Sequence, residues 1–214
     1  IAGKNLKKTV LELGGNDPYL ILEDAELDYA VKACIEGRLL NNGQSCISAK
    51  RLIVTKNIIE SFTKKLIDNL VSKVMGDPHD DVDYGPLVSL SARAEVHKMV
   101  ESSIKMGAKL NLGGKIPNIE GAYYPITVLS KVQPGMPAFE EEIFGPVFSI
   151  IEASNNNHAI DLANNTNYGL GAAVFSSDIS GGKKIAEEKI QAGVCFVNDY
   201  VKSDPRLPFG GVKM

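Results

Sequence analysis

The chain has 214 residues, with 23 basic and 26 acidic side chains and a formal net charge of −3. Hydrophobic residues make up 44% and charged residues 23%, a composition that is ordinary for a globular protein and argues against disorder. The small acidic excess argues against nucleic acid as a partner, because phosphate binding needs a basic surplus. No apolar run approaches the roughly 18 residues of a membrane-spanning helix, so no membrane association is predicted.

Short β-rich runs alternate with longer helical patterns along the chain. In chain order, strands are predicted at 10–13, 19–22, 51–55, 109–112, 123–129, 147–152, 170–176 and 193–198. Apolar residues at helical spacing predict helices at 27–39, 59–70, 91–106, 155–167 and 181–191. Asp24 is the expected N-cap of the first helix and Gly43 its expected stop. The alternation predicts one α/β domain with a mostly parallel sheet and flanking helices.

The cysteines and histidines give no sign of a disulfide framework or a metal centre. The three cysteines are widely spaced and form no C-x-x-C motif, so a reducing, cytoplasmic location is expected. The three histidines are scattered, and no metal site is predicted. The first ten residues contain three lysines and no apolar segment, which argues against a signal peptide. The chain has no initiator Met, and we expect it to begin within a longer protein.

The segment Asn-Asn-Gly-Gln-Ser-Cys at 41–46 is the strongest local candidate for chemistry. A polar loop of small residues can expose the Cys46 sulfur and direct backbone N–H groups toward it, as a nucleophilic thiolate requires. On local context alone, a cysteine is more often a small buried hydrophobic residue than a nucleophile. Cys34 lies on the apolar stripe of its helix and Cys195 within a strand, so both are predicted to be core residues.

Two acidic segments are further candidates. The run Leu-Glu-Leu-Gly-Gly at 11–15 places Glu12 at the end of a predicted strand, and α/β sheets build sites at the carboxyl ends of strands. A desolvated carboxylate there would have a raised pKa and suit general-base work, and the alternative is an ordinary exposed Glu at a strand end. In Glu-Glu-Glu-Ile-Phe-Gly-Pro-Val at 140–147, a carboxylate beside an aromatic ring could hold a ribose diol. The alternative is a charged loop that leads into a strand.

Four motifs in order resemble the aldehyde dehydrogenase superfamily: Glu-Leu-Gly-Gly at 12–15, Gly-Gln-Ser-Cys at 43–46, Glu-Glu-Ile-Phe-Gly-Pro-Val at 141–147 and Pro-Phe-Gly-Gly at 208–211. The resemblance covers the whole chain, and 43–54 and 203–213 are most similar to the succinate-semialdehyde dehydrogenase branch. It implies that residues 1–214 are a single catalytic domain, without the family's N-terminal Rossmann-like cofactor domain and C-terminal oligomerisation strand. The isolated chain is therefore expected to be inactive, and the full-length protein to be a homo-oligomer, either dimer or tetramer.

The resemblance also implies a mechanism and a set of site residues. Cys46 attacks the aldehyde to give a thiohemiacetal, hydride passes to NAD or NADP, and Glu12 activates water to hydrolyse the resulting thioester. Glu142 is implied to bind the nicotinamide ribose, with Phe144 beside it, and the Leu13 carbonyl to meet the nicotinamide amide. The backbone N–H of Cys46 supplies part of the oxyanion hole, and the family's second donor lies upstream of this chain.

Succinate semialdehyde is the implied substrate. Phe209 is expected to line the substrate tunnel, and Ser203 and Arg206 are candidates to meet the far carboxylate, because an Arg fork suits carboxylates. A surface role for Arg206 is equally open. Two alternatives remain: a dehydrogenase for another aldehyde or semialdehyde, and a non-catalytic protein that retains the fold. The choice between NAD and NADP stays open.

Overall fold

The computed structural model describes residues 1–213. The strands are β1 (Pro18–Ile21), β2 (Arg51–Thr55), β3 (Lys109–Leu112), β4 (Thr127–Ser130), β5 (Val147–Ala153), β6 (Gly171–Phe175) and β7 (Val194–Val197). The helices are α1 (Leu27–Leu39), α2 (Ile59–Leu70), α3 (Leu90–Lys105), α4 (Pro137–Glu140), α5 (Asn156–Asn164) and α6 (Ile179–Glu188). Most predicted elements are therefore present, with ends that differ by a few residues. The four-residue helix α4 was not predicted, because it is too short to show a helical period.

The seven strands form one sheet in the order β3-β4-β5-β2-β1-β6-β7. Every neighbouring pair is parallel except β3 and β4, which are antiparallel. The predicted α/β class with a mostly parallel sheet is confirmed. Because all strands except β3 run in one direction, the loops that precede these six strands meet at the same edge of the sheet.

Two hydrophobic cores lie on opposite faces of this sheet. Side chains alternate between faces along a strand, so Tyr19 and Ile21 of β1 belong to one core while Leu20 and Leu22 belong to the other. The first core is closed by α1 and α2, and the second by α3, α4 and α5. Leu20 and Ile21 are fully buried, and each contributes roughly 1.5–3 kcal/mol relative to exposure.

The two ends of α1 differ from their prediction. Glu26 is the N-cap, and its carboxylate accepts hydrogen bonds from the backbone N–H groups of Asp28 (3.1 Å) and Tyr29 (2.7 Å). Asp24, the expected cap, instead accepts from Ser176 Oγ at 2.8 Å, so its carboxylate is committed to the loop after β6. The helix ends before Gly43, because a 3₁₀ turn at Leu40–Gly43 with left-handed residues interrupts it.

The predicted strand at 10–13 is wrong. This segment has no regular structure and no neighbouring strand. Val10, Leu11 and Leu13 are 82%, 67% and 73% exposed, so their apolar side chains do not face a core. Gly14 has φ +108°, which turns the chain before β1 begins.

Candidate active site

The candidate residues gather where the parallel strands begin. Gly14 and Gly15 precede β1, Cys46 precedes β2 and Glu142 precedes β5, so all three segments lie at the amino edge of the sheet. The expectation that Glu12 lies at the carboxyl end of a strand is wrong, because it precedes β1 and follows no strand. Residues far apart in sequence are therefore neighbours at this edge.

Lys50 joins the Cys46 loop to Glu142. Its side chain is 3% exposed, and Nζ donates hydrogen bonds to the carbonyl oxygens of Ser45 and Cys46, both at 2.8 Å. Nζ also lies 3.2 Å from Oε1 of Glu142. Burial lowers the Lys50 pKa to about 8, although the charges of Asp17 and Glu142 favour its protonated form.

Gly14 and Gly15 allow the backbone to approach the Glu142 carboxylate and the Cys46 carbonyl closely. The N–H of Gly15 donates to Oε1 of Glu142 at 3.2 Å. A Cβ on Gly14 would collide with the Glu142 carboxylate, and a Cβ on Gly15 would collide with the carbonyl oxygen of Cys46. Glycine is therefore required at both positions if this segment is to lie against the cysteine loop.

Cys46 is half-buried and surrounded by charges. Burial raises the pKa of its thiol, Lys50 lowers it, and Asp17, Glu142 and Glu12 raise it. Burial alone raises the Cys34 pKa far above its usual range, so that thiol is a core group as predicted.

The other candidates occupy varied positions. Glu12 is exposed and lines a pocket of about 280 Å³ together with Leu13 and Lys213. Phe144 is 41% exposed, next to the segment that carries Glu142. Phe209 is half-buried and packs against the same hydrophobic core as Cys46.

Ser203 and Arg206 lie outside this group. Both are exposed, and the Arg206 guanidinium is bound to Asp204, with Nε to Oδ1 at 2.9 Å and Nη2 to Oδ2 at 2.6 Å. Within residues 1–213, no hydrogen bond joins either residue to the Cys46 loop. The structure therefore does not bring these two candidates to the thiol.

Two buried arginines fix the loops around the site, and neither was singled out from the sequence. Arg38 of α1 donates to the carbonyls of Val147 (2.6 Å) and Ile143 (2.8 Å) and to Ser48 Oγ (2.6 Å). It thereby connects the Cys46 loop to the segment that carries Glu142. Burial lowers its pKa to about 9.

Arg51 performs the same task on the other side of the site. Nε donates to the Asn16 carbonyl at 3.0 Å, and the two Nη groups donate to the carbonyls of Leu162 and Ala163, each at 2.9 Å. The signal that could have identified Lys50 and Arg51 is their position at the start of an apolar strand, where a charge must find a partner.

Ionisation of the buried Asp17 carboxyl group should make the free energy of unfolding depend on pH. It is 1% exposed, Oδ1 accepts from the Gly171 N–H at 3.0 Å, and Oδ2 has no hydrogen-bond partner among residues 1–213. Burial raises its pKa from 3.8 to about 6, despite the opposing effect of Lys50. Since the folded state holds this proton more tightly than the unfolded state, ionisation costs stability as pH rises from about 4 to 6.

The variant Asp17→Asn should remove this cost. Between pH 4 and pH 7 the free energy of unfolding of the wild type should fall, relative to the variant, by roughly 2 kcal/mol. Urea unfolding of both proteins at several pH values measures the difference. Identical pH dependence in the two proteins would show that Asp17 does not titrate in this window.

Comparison with known proteins decides the family. The sequence profile described as "Aldehyde dehydrogenase family" matches residues 1–214. The chain belongs to the aldehyde dehydrogenase family. This confirms the resemblance found in the four motifs. The chain spans about half the length of the curated relatives that it matches.

The relatives share both sequence and fold with this chain. Succinate semialdehyde dehydrogenase [NAD(P)+] Sad of Escherichia coli is 45% identical over 213 residues, which are 99% of this chain and 46% of that protein. Succinate-semialdehyde dehydrogenase [NADP(+)] 1 of Mycobacterium bovis is 43% identical over all of this chain and 47% of its own length. A crystal structure of succinic semialdehyde dehydrogenase from Streptococcus pyogenes in complex with NADP+ superposes with a TM-score of 0.94 at 40% identity, over 99% of this chain and 47% of that one.

Two further findings concern residues 1–213 only. No helix there is both long and apolar enough to cross a bilayer. No three or more His, Cys, Asp or Glu side chains in that range are grouped so that they could hold a metal ion.

Proposed function

We propose that this chain is the catalytic domain of an NAD(P)-dependent aldehyde dehydrogenase that oxidises succinate semialdehyde to succinate. The observation that carries the proposal is the meeting of Cys46, Glu142 and the Gly14–Gly15 turn around Lys50. The names of the relatives support the substrate. The proposal assigns cofactor binding mainly to a domain in the part of the relatives that this chain does not match.

Cys46 is the proposed nucleophile. Its sulfur attacks the aldehyde carbon and forms a thiohemiacetal, and the backbone N–H of Cys46 donates a hydrogen bond to the developing oxyanion. The two carbonyls held by Lys50 fix the backbone of this loop, so the N–H keeps its direction during the reaction. Cys46 is partly exposed, as access by a small substrate requires.

The residues around Glu142 fit the ribose end of a nicotinamide dinucleotide. Oε1 is bound by Lys50 and by the N–H of Gly15, which leaves Oε2 for a sugar hydroxyl. A pocket of about 380 Å³, lined in part by Glu142 and Tyr168, lies beside this carboxylate. Phe144 would flank the ribose, and the Leu13 carbonyl would accept from the carboxamide. When bound, NAD or NADP supplies the hydride acceptor for the oxidation.

Glu12 is the proposed general base for the second half of the reaction. Its carboxylate is exposed, so water reaches it, and its negative charge raises the pKa of the Cys46 thiol. It takes a proton from the water that attacks the thioester carbon, and the Cys46 sulfur leaves as the carboxylate product forms.

The proposal assigns the far carboxylate of the substrate to Ser203 and Arg206 and the tunnel wall to Phe209. Because Asp204 already binds the Arg206 fork, the substrate carboxylate must replace Asp204 there. Three free thiols among the described residues support a cytoplasmic location, and assembly as a dimer or tetramer is part of the same proposal.

Nicotinamide reduction by the complete gene product tests this function. Succinate semialdehyde should give the highest kcat/KM in a panel of aliphatic aldehydes, aromatic aldehydes and other semialdehydes such as glutarate semialdehyde. Each is measured with NAD and NADP separately. In Arg206→Gln, KM should rise several-fold for succinate semialdehyde and not for an uncharged aldehyde. Activity on other aldehydes alone would replace the proposed substrate, and absence of activity on all of them would favour a non-catalytic protein with this fold.

A further inference from the structure

The ammonium group of Lys50 has three oxygen partners at the candidate site. A lysine ammonium has three N–H donors and no acceptor. Nζ of Lys50 has three acceptors at hydrogen-bond distance: the Ser45 and Cys46 carbonyls at 2.8 Å and Glu142 Oε1 at 3.2 Å. With only 3% of the side chain exposed, water does not compete for these donors.

The three acceptors belong to segments with different tasks in the proposed reaction. Ser45 and Cys46 form the nucleophile loop before β2, whereas Glu142 precedes β5 and is assigned to the ribose. One side chain therefore sets the position of the sulfur-bearing backbone relative to the carboxylate. A flexible, exposed lysine could not do this, because it would exchange partners with water.

Burying this cation is costly, which indicates that its charge has a use. The charged groups that face Lys50 are Asp17, Arg38 and Glu142, and the Arg38 charge opposes a second cation. An apolar side chain of similar length could fill the same space without desolvation of a charge. The charges that act on the Cys46 thiol are those of Lys50, Asp17, Glu142 and Glu12, and Lys50 is the cation among them.

We propose that Lys50 is a positioning residue of the aldehyde dehydrogenase reaction, which holds the Cys46 loop and the Glu142 carboxylate in one arrangement and places a positive charge beside the thiol. This inference rests on the proposed function. It assigns two effects to one residue: fixed geometry between nucleophile and cofactor carboxylate, and a thiolate that forms at lower pH than it otherwise would.

Alkylation of Cys46 measures the second effect without any turnover. Native protein reacts with iodoacetamide at a series of pH values, the thiolate displaces iodide, and the labelled protein is then digested with trypsin. Cys46 lies in the peptide of residues 39–50, separate from the peptides that contain Cys34 and Cys195. In Lys50→Met this peptide extends to Arg51 and remains distinguishable by mass.

The pH midpoint of Cys46 labelling should shift in opposite directions when the cation and the anion are removed, which a merely structural role of Lys50 would not produce. Lys50→Met should slow labelling of Cys46 at pH 7 by about three- to tenfold and move the pH midpoint upward, because a nearby cation is lost. Glu142→Gln should move the midpoint downward, because an anion is lost. Lys50→Arg should stay near the wild type, and Lys32→Met, at an exposed lysine of α1, should equal it.

An unchanged midpoint in Lys50→Met, or a shift in the same direction for Lys50→Met and Glu142→Gln, would overturn the proposal. If Lys50→Met does not fold, Lys50→Gln, which also removes the charge but keeps a polar side chain, takes its place under the same rule. Turnover of the complete gene product distinguishes failure of the proposed dehydrogenase function from failure of the proposed role of Lys50. Loss of the proposed function would appear as absent dehydrogenase activity in the wild type, whereas the labelling profiles report on Lys50 in either case.

Discussion

Replacing Cys46 with serine is expected to reduce aldehyde oxidation by the complete gene product on the order of 10³-fold or more. A serine hydroxyl is a much weaker acid and nucleophile than a thiol, whereas at Cys46 the Lys50 charge opposes the burial that raises the thiol pKa. The reduction should appear in kcat/KM, because thiohemiacetal formation precedes every later step. Nicotinamide absorbance under saturating cofactor measures it.

Cys195→Ala provides the matched control. Cys195 lies in β7, and burial raises its thiol pKa to about 12, so it does not ionise near neutral pH. This variant should retain the wild-type rate. Full activity in Cys46→Ser, or equal loss in both variants, would contradict the assignment of the nucleophile.

Replacing Glu12 with glutamine is expected to slow steady-state turnover by about 10²–10⁴-fold while hydride transfer persists. Without a base to activate water, the thioester on Cys46 should accumulate. Rapid-mixing experiments should therefore show a burst of one reduced nicotinamide per active site, followed by a slow phase.

Glu23→Gln is the control for this second variant. Glu23 is also exposed, but it follows β1 and so lies at the opposite edge of the sheet from Cys46. It should turn over like the wild type. A Glu12→Gln protein that loses the burst together with the steady-state rate would show that Glu12 acts before hydride transfer instead of after it.

Continuous apolar runs made most of the sheet predictable from the sequence. In β1 the residues Tyr19, Leu20 and Ile21 are all apolar, and such a run bounded by turn residues indicates a strand with two covered faces. The run at 10–13 looks similar in composition, yet no strand lies beside it. Strand formation there depends on a neighbour, which a local pattern does not reveal.

The candidate site was accessible to sequence reasoning only through its motifs. The motifs singled out Cys46, Glu12 and Glu142, but the buried charges that connect their segments were not recognised. Lys50 meets Glu142, and Arg51 meets the carbonyls of α5, far along the chain in both cases. Partners at such separations are set by strand order and register, so they cannot be predicted from the local sequence.

The position of the site at the amino edge of the sheet has the same origin. A strand-end carboxylate is expected at the carboxyl edge of a parallel sheet, where helix connections leave a crevice. In this chain the loops before β1, β2 and β5 are drawn together by Arg38, Lys50 and Arg51, which bind their backbone carbonyls. The site is therefore built from backbone positions that buried cations hold in place.

The most direct test of this account is mass spectrometry of Glu12→Gln gene product after mixing with succinate semialdehyde and NAD or NADP. The account predicts that the tryptic peptide of residues 39–50 carries one succinyl group on Cys46, and that Cys46→Ser in the same background carries none. An unmodified Cys46 peptide in protein that has reduced its nicotinamide would contradict the thioester pathway.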